Sequence, residues 1–137
     1  MIVADANLLV ALASGDPRGG TVLSHFTDWL DHDVGIHAPA LAQYEVVNAL
    51  ARLVVAGAFP SDKVEEAWVN INFLPIQYHH LGDAKRAVEI ALALKRQSAY
   101  DAAYIALAEE LGAQLWTLDG PLYRNASALG FPVQLVS

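Results

Sequence analysis

The sequence of 137 residues predicts a single α/β domain, with a mostly parallel central sheet and helices on both of its faces. Two observations predict this fold class. Short apolar segments alternate with longer helical segments along the whole chain, which is the pattern of parallel strands joined by helical crossovers. No repeat, linker or low-complexity segment interrupts the alternation, and the length suits one hydrophobic core. Residues 1–137 are therefore expected to form one domain.

Five short segments have the apolar composition and the flanking turn residues of β-strands. The first, Ile2–Ala4, is apolar throughout, which predicts a central strand buried on both faces of the sheet. It stops at an acid, and a helical segment follows almost at once. The other expected strands are residues 34–37, 74–77, 114–118 and 131–136.

Helical periodicity and capping residues define the segments between these strands. Pro39 is expected to open the third helix in its first turn, and Gly57 to end it. Ser61 is the expected N-cap of the fourth helix. Ser98 and Asp101 match the capping-box pattern at the start of a later helix. The expected helices are residues 7–14, 21–33, 39–56, 61–72, 81–95, 98–112 and a short segment after Asp119.

The composition narrows the class of function. Fifteen acidic and eight basic residues give a net charge of −7, which argues against general affinity for nucleic acid. The same charge is ordinary for a soluble protein, and it also suits a metal site, because a bound cation reverses the local field. Cysteine is absent, which excludes disulfides and thiolate ligands. No signal peptide and no membrane-spanning run are present, so we expect a cytoplasmic protein.

Three acids are expected at one edge of the sheet. Asp5 follows the first strand, Asp119 follows the strand at 114–118, and Asp101 lies in the first turn of a helix. Sites in open parallel sheets form outside the carboxyl ends of the strands, where these residues would meet. Each acid also has an ordinary alternative as a helix cap.

Glu45 is the fourth candidate, because it interrupts a mostly apolar helical segment. Asn48 and Arg52 follow it at three and seven positions, so all three share one helix face. This face could be a solvent-exposed stripe, or it could point Glu45 at the edge where the other acids meet. Arg52 is then the favoured phosphate contact among the basic residues considered, which are Arg18, Arg52, Arg86, Lys95, Arg96 and Arg124.

Carboxylates that meet in one cleft repel each other, by roughly 4 kcal/mol for a pair at 4 Å and an effective dielectric near 20. A bound cation removes this cost. Hard divalent ions prefer oxygen ligands, and Mg²⁺ typically takes one or two carboxylates with waters and a substrate phosphate. The convergence of acids therefore predicts a divalent-metal site.

Four ordered segments resemble the PIN-domain family, and most closely the VapC-type toxins of bacterial toxin–antitoxin pairs. They are IVADAN at 2–7, YEVVNAL at 44–50, SAYDAAYIAL at 98–107 and LWTLD at 115–119. Each motif is weak alone, but their order and spacing cover nearly the whole chain.

The resemblance implies an endoribonuclease that depends on Mg²⁺ or Mn²⁺ and cleaves RNA with a metal-activated water. It implies Asp5, Glu45, Asp101 and Asp119 as the catalytic and metal-binding acids, with Asn7 and Thr117 as supporting polar residues. It also implies a cognate antitoxin that blocks the site, and a homodimer. Asn48 and Arg52 remain the helix-face candidates for support and substrate binding.

Three other interpretations compete with a nuclease. A PIN-like scaffold could bind a partner without catalysis. An aspartate-nucleophile phosphatase also begins with an acid after its first strand, but its second acid would be Asn7, which cannot protonate a leaving group. A receiver domain requires a lysine on a late strand, and the three lysines lie in predicted helices.

Overall fold

The computed structural model describes residues 1–95 and 98–137, and in this part of the chain five parallel strands form one sheet. The sheet order is β3-β2-β1-β4-β5, so the first strand lies in the middle. The strands are β1 (Ile2–Ala4), β2 (Ile36–Pro39), β3 (Ile76–His79), β4 (Gln114–Thr117) and β5 (Val133–Leu135). The predicted α/β class is confirmed, and each strand pairing is parallel.

The helices form two groups. The first four pack together around α1, and α6 packs against α5 and across β1, β2 and β4. Because the strand order reverses at β1, right-handed connections place the two groups on opposite faces. The helices are α1 (Ala6–Ser14), α2 (Gly19–Asp31), α3 (Leu41–Val55), α4 (Val64–Asn72), α5 (Ala84–Leu94), α6 (Tyr100–Leu111) and α7 (Gly120–Ala128).

The core lies between the sheet and these helices. Val3 and Ala4 of β1 are completely buried, as the apolar first strand predicts. Leu9, Phe26 and Ile105 bring large side chains from three helices into the same cluster. Each such side chain contributes roughly 1.5–3 kcal/mol by burial. None of the helices in the described residues combines the length and the apolar character needed to cross a bilayer.

Three details of the predicted helix starts are wrong. Pro39 ends β2 instead of opening α3, because its strand pairs with β3 as far as His79. Ser61 begins a short 3-10 turn, Ser61–Lys63, and α4 follows it without a side-chain cap. Ser98 is not the N-cap of α6: its hydroxyl accepts from the backbone N–H of Tyr100 at 3.2 Å, and the helix starts one residue later than a capping box requires.

Candidate active site

The carboxyl end of the sheet opens into a cleft of about 590 Å³ whose lining includes all four acids singled out in the sequence. Asp5 follows β1, Glu45 lies on α3, Asp101 lies in the first turn of α6, and Asp119 follows β4. The strands β1 and β4 are neighbours at the point where the strand order reverses. A cavity of about 620 Å³ beside the cleft shares Leu41 with it but contains none of the four acids.

Asp5 is partly buried and is held by neutral donors. The Thr117 hydroxyl donates to its Oδ2 at 2.8 Å, and the backbone N–H of Asn7 donates to its Oδ1 at 3.4 Å. Burial is the main cause that raises the pKa of Asp5 to about 7, although these donors lower it. The charges on Glu45 and Asp101 raise it further. An added cation would favour the charged carboxylate again.

Thr117 and Asn7 form one hydrogen-bond network with Asp5. The Asn7 side-chain amide donates to Oγ1 of Thr117 at 3.1 Å and to Oδ2 of Asp5 at 3.3 Å. The backbone N–H groups of Asp119 and Leu118 donate to Thr117 Oγ1 and Asn7 Oδ1, at 3.0 and 3.2 Å. Thr117 is fully buried, so one donated and two accepted bonds satisfy its hydroxyl. The network fixes the orientation of Asp5 across the β1–β4 pair.

Glu45 accepts a hydrogen bond from Tyr104, a buried residue that the sequence analysis did not assign to the site. The Tyr104 hydroxyl donates to Glu45 Oε1 at 2.6 Å, and the residue is only 1% exposed. Burial raises the pKa of Tyr104 well above its ordinary value, and the charges on Asp5 and Glu45 add to this, so the hydroxyl keeps its proton. Burial also raises the pKa of Glu45, the Tyr104 bond lowers it, and the charge on Asp101 raises it.

The other two acids stand at helix N-termini. Asp119 is the N-cap of α7, and its Oδ1 accepts from the backbone N–H of Leu122 at 3.0 Å. Asp5 caps α1 in a similar way. Both residues are therefore helix N-caps and also line the cleft. Asp101 lies in the first turn of α6, where the helix dipole favours a negative charge.

Asn48 and Arg52 also line the cleft, as the helix face shared with Glu45 predicts. Arg18 joins them from the loop after α1, where its guanidinium binds Asp16 at 3.0 Å. Other basic residues considered from the sequence do not line the described part of the cleft, namely Arg86, Lys95 and Arg124, and Arg96 lies outside the described residues.

The chemistry of the cleft suits a hard divalent cation. Its acids offer carboxylate oxygens, which Mg²⁺ and Mn²⁺ prefer, and burial together with neighbouring carboxylates raises the pKa of Asp5 and of Glu45. Within residues 1–95 and 98–137, no three His, Asp or Glu side chains already converge into a group that could hold a metal ion. The donor type therefore fits a divalent ion, whereas a complete ligand set is not preassembled.

Comparison with known proteins agrees with this fold and with the sequence motifs. The family model described as the PIN domain matches residues 2–127. Ribonuclease VapC3 of Pyrobaculum aerophilum is 37% identical over 102 residues, which cover 71% of this chain and 76% of that protein. Ribonuclease VapC12 of Mycobacterium tuberculosis is 32% identical over 126 residues, which cover 91% of this chain and 92% of that protein. The chain belongs to the PIN-domain family, among its VapC-type members.

Two solved structures share the fold of this PIN domain. The Pyrobaculum aerophilum protein PAE2754 superposes with a TM-score of 0.69 over 90% of this chain and 78% of its own, at 22% identity. VapC20 of Mycobacterium tuberculosis, a toxin that cleaves the sarcin–ricin loop, gives a TM-score of 0.66 over 96% of each chain, also at 22% identity. The match to the PIN-domain model and the two ribonuclease relatives confirm the family resemblance drawn from the four motifs, and these structures confirm the fold.

Proposed function

We propose that this PIN domain is a metal-dependent endoribonuclease and the toxin of a type II toxin–antitoxin pair, acting on RNA in the cytoplasm. The observation that carries the proposal is a single cleft whose lining combines Asp5 and Glu45, held by neutral donors, with Asp101 and Asp119. The VapC ribonucleases among its relatives support the class of reaction.

We assign the metal-holding role to the four acids, with Mg²⁺ or Mn²⁺ as the ion. Asp5 and Asp101 would hold it most directly, Asp119 directly or through water, and Glu45 would hold a second ion or orient the attacking water. When bound, the ion supplies a Lewis acid that neutralises charge on the phosphate and makes water more acidic.

The residues of the chain then position the reaction. Thr117 and Asn7 hold Asp5 in one orientation, and Tyr104 fixes one oxygen of Glu45. Because its pKa is raised, Glu45 is suited to accept a proton from the attacking water. The water oxygen bonds to phosphorus, the bond from phosphorus to the 3′ oxygen breaks, and that oxygen gains a proton. The products carry a 5′ phosphate and a 3′ hydroxyl.

Arg52 is our candidate for contact with a neighbouring phosphate of the substrate. It is exposed on α3, on the helix face of Glu45, and it lines the same cleft. Arginine can donate two parallel hydrogen bonds to a phosphate, which gives geometric as well as electrostatic selectivity.

The proposed partners are an antitoxin and a second copy of this chain. A lysine or arginine of the antitoxin would fit the acidic cleft in place of the metal. For the homodimer, the α2 and α4 faces offer exposed apolar side chains, among them Leu23 at 57% exposure and Phe73, directly after α4, at 82%.

The decisive experiment is cleavage of a mixed RNA substrate by the purified protein with Mg²⁺, with Mn²⁺ and with EDTA. Asp101→Asn should lose activity by orders of magnitude while keeping its fold, whereas the matched control Asp62→Asn, at an exposed site outside the cleft, should cleave like the wild type. Equal cleavage by wild type and Asp101→Asn would show that the assigned site is wrong.

A non-catalytic scaffold is the second candidate, and one observation favours it. The described acids do not converge into a ready metal-binding group. A scaffold should bind Mn²⁺ weakly or not at all, so calorimetric titration of the protein with Mn²⁺ alone separates the two candidates.

A further inference from the structure

Two exposed tyrosines line the acidic cleft. Tyr44 is 76% exposed on α3, and Tyr100 is 59% exposed at the start of α6. Each immediately precedes one of the acids, Tyr44 before Glu45 and Tyr100 before Asp101. The same two helices that bring these acids to the cleft therefore each present an aromatic ring beside it.

Exposure is not a general property of the tyrosines near the cleft. Tyr104, one turn further along α6, is buried and donates to Glu45. Packing and hydrogen bonding explain why the chain has a tyrosine at position 104. Tyr44 and Tyr100, in contrast, are mostly exposed and add little to the core. A solvent-exposed aromatic ring beside a binding site is suited to stack on a flat group of a ligand.

The basic side chains of the cleft offer a nucleic-acid strand little neutralising charge. Among the described residues that line the cleft, five carboxylates face only two arginines, Arg18 and Arg52. Arg18 is already paired with Asp16 at 3.0 Å. Neutralisation of phosphates is thus limited, and a substrate needs a further source of affinity. Stacking of bases on aromatic side chains provides one that does not depend on basic residues.

We propose that Tyr44 and Tyr100 are the side chains of this cleft that stack on unpaired bases of the RNA substrate. This inference rests on the proposed nuclease function and adds the residues that select the substrate. In a duplex the base faces are stacked on one another and hidden, whereas in a single strand they are free to cover the two rings.

The test is the affinity of labelled oligo(U) for Asp101→Asn protein in Mg²⁺, a background chosen so that the strand stays intact. Tyr44→Ala and Tyr100→Ala should each weaken binding, by roughly 5- to 150-fold. Tyr44→Phe and Tyr100→Phe should stay within about twofold of the parent, because they keep the ring. Leu92→Ala is the control, an exposed apolar side chain on α5 outside both the cleft and the proposed dimer faces, and should bind like the parent.

Three probes separate stacking from charge. An abasic strand of the same length should bind weakly to the parent and equally weakly to both alanine variants. Oligo(U) annealed to oligo(A) should show no dependence on either tyrosine. With two arginines at most on phosphates, log Kd for oligo(U) should change with log salt by no more than about 1.4, at about 0.7 for each contact.

Several results would overturn the inference. Alanine variants that bind oligo(U) like the parent would assign the rings to a protein partner instead. Equal losses in the alanine and phenylalanine variants would indicate the hydroxyls, not stacking. Failure of the parent to bind oligo(U) would also overturn it. Cleavage of mixed RNA by the wild type is measured separately. The proposed nuclease function can therefore be supported even if the assignment of the stacking residues is wrong.

Discussion

Two sets of carboxyl groups in this molecule are stabilised in opposite ways. On the α5–α6 surface, Glu109 accepts two hydrogen bonds from the Arg86 guanidinium, both at 2.8 Å, and this partner lowers the pKa of Glu109. In the cleft, Asp5 and Glu45 receive donors that carry no charge, and burial raises the pKa of both. Glu109 is thus matched by a cation within the chain, whereas Asp5 and Glu45 are suited to a cation from outside.

The largest effect that follows from this contrast is on catalysis. Glu45→Gln keeps the shape of the side chain and can still accept the Tyr104 hydrogen bond, but it cannot take a proton from water. We expect RNA cleavage to fall by about 10²- to 10⁴-fold in kcat. Single-turnover rates in Mg²⁺ would measure it. A variant within tenfold of the wild type would exclude Glu45 as the base.

The second effect is on the pH dependence of stability. In the folded protein the pKa of Asp5 is about 7, above its ordinary value of 3.8, so the folded state binds the proton more tightly. The stability given by protonated Asp5 is complete below about pH 4 and is lost as pH rises through 7. The loss is at most about 4 kcal/mol, at 1.36 kcal/mol for each pKa unit.

Asp5→Asn should remove this loss. Urea unfolding in EDTA at several values between pH 4 and pH 8 should show a free energy of unfolding that declines less steeply in the variant. Parallel curves for the two proteins would contradict the raised pKa of Asp5.

The third effect is stabilisation by metal. Because an added cation favours ionised carboxylates, Mn²⁺ should raise the unfolding midpoint more at pH 8 than at pH 5.5. At a concentration one hundred times its Kd the ion contributes about 2.7 kcal/mol. Thermal unfolding with and without Mn²⁺ measures this, and Asp101→Asn should respond less. The same shift in that variant would place the ion elsewhere.

A somewhat smaller effect is expected at Tyr104. Tyr104→Phe keeps the buried ring but removes the donor to Glu45, which should cost roughly 2 kcal/mol, since hydrogen bonds to charged groups contribute about 1.5–3 kcal/mol. Tyr78→Phe, in a partly buried tyrosine of the edge strand β3, is the matched control. Denaturant unfolding measures the free energy of unfolding of both variants. Equal stability of the two would argue that the Tyr104–Glu45 hydrogen bond does not contribute.

The smallest effect belongs to the surface pair. Glu109→Gln removes the charge that Arg86 binds. Because both groups are solvent-accessible, the unfolding midpoint should fall only slightly, and the fall should be larger at low salt than at high salt. RNA cleavage should be unchanged. A loss of cleavage would mean that the charge on Glu109 influences the cleft and that the two sets of carboxyl groups are not independent.

The sequence was sufficient to predict the α/β class and the edge of the sheet at which the acids lie. An apolar segment ending at Asp5 and another ending near Asp119 predict parallel strands that end at one edge, and the structure has both. Family membership confirms the resemblance carried by the motifs. The catalytic roles of individual residues stay predictions.

Other features depended on pairing that local sequence does not encode. Pro39 is a good residue for a first helical turn, but its conformation is decided by pairing with His79 in β3, forty residues away. Tyr104 follows Asp101 by three positions on one helix face, a signal that was available. Its partner Glu45, however, lies 59 positions away on another helix, and only the fold brings them together.

The position of β1 in the middle of the sheet has a consequence for protein synthesis. A ribosome releases Asp5 early, but the Thr117 hydroxyl that holds it belongs to a strand separated from it by 112 positions. At a rate of about 5–20 residues per second, roughly 6 to 24 seconds pass before Asp119 is made. The nascent chain lacks a complete cleft throughout that time. For the proposed toxin–antitoxin pair, this interval is the time in which an inhibitor translated beside the chain can be supplied before the cleft is complete.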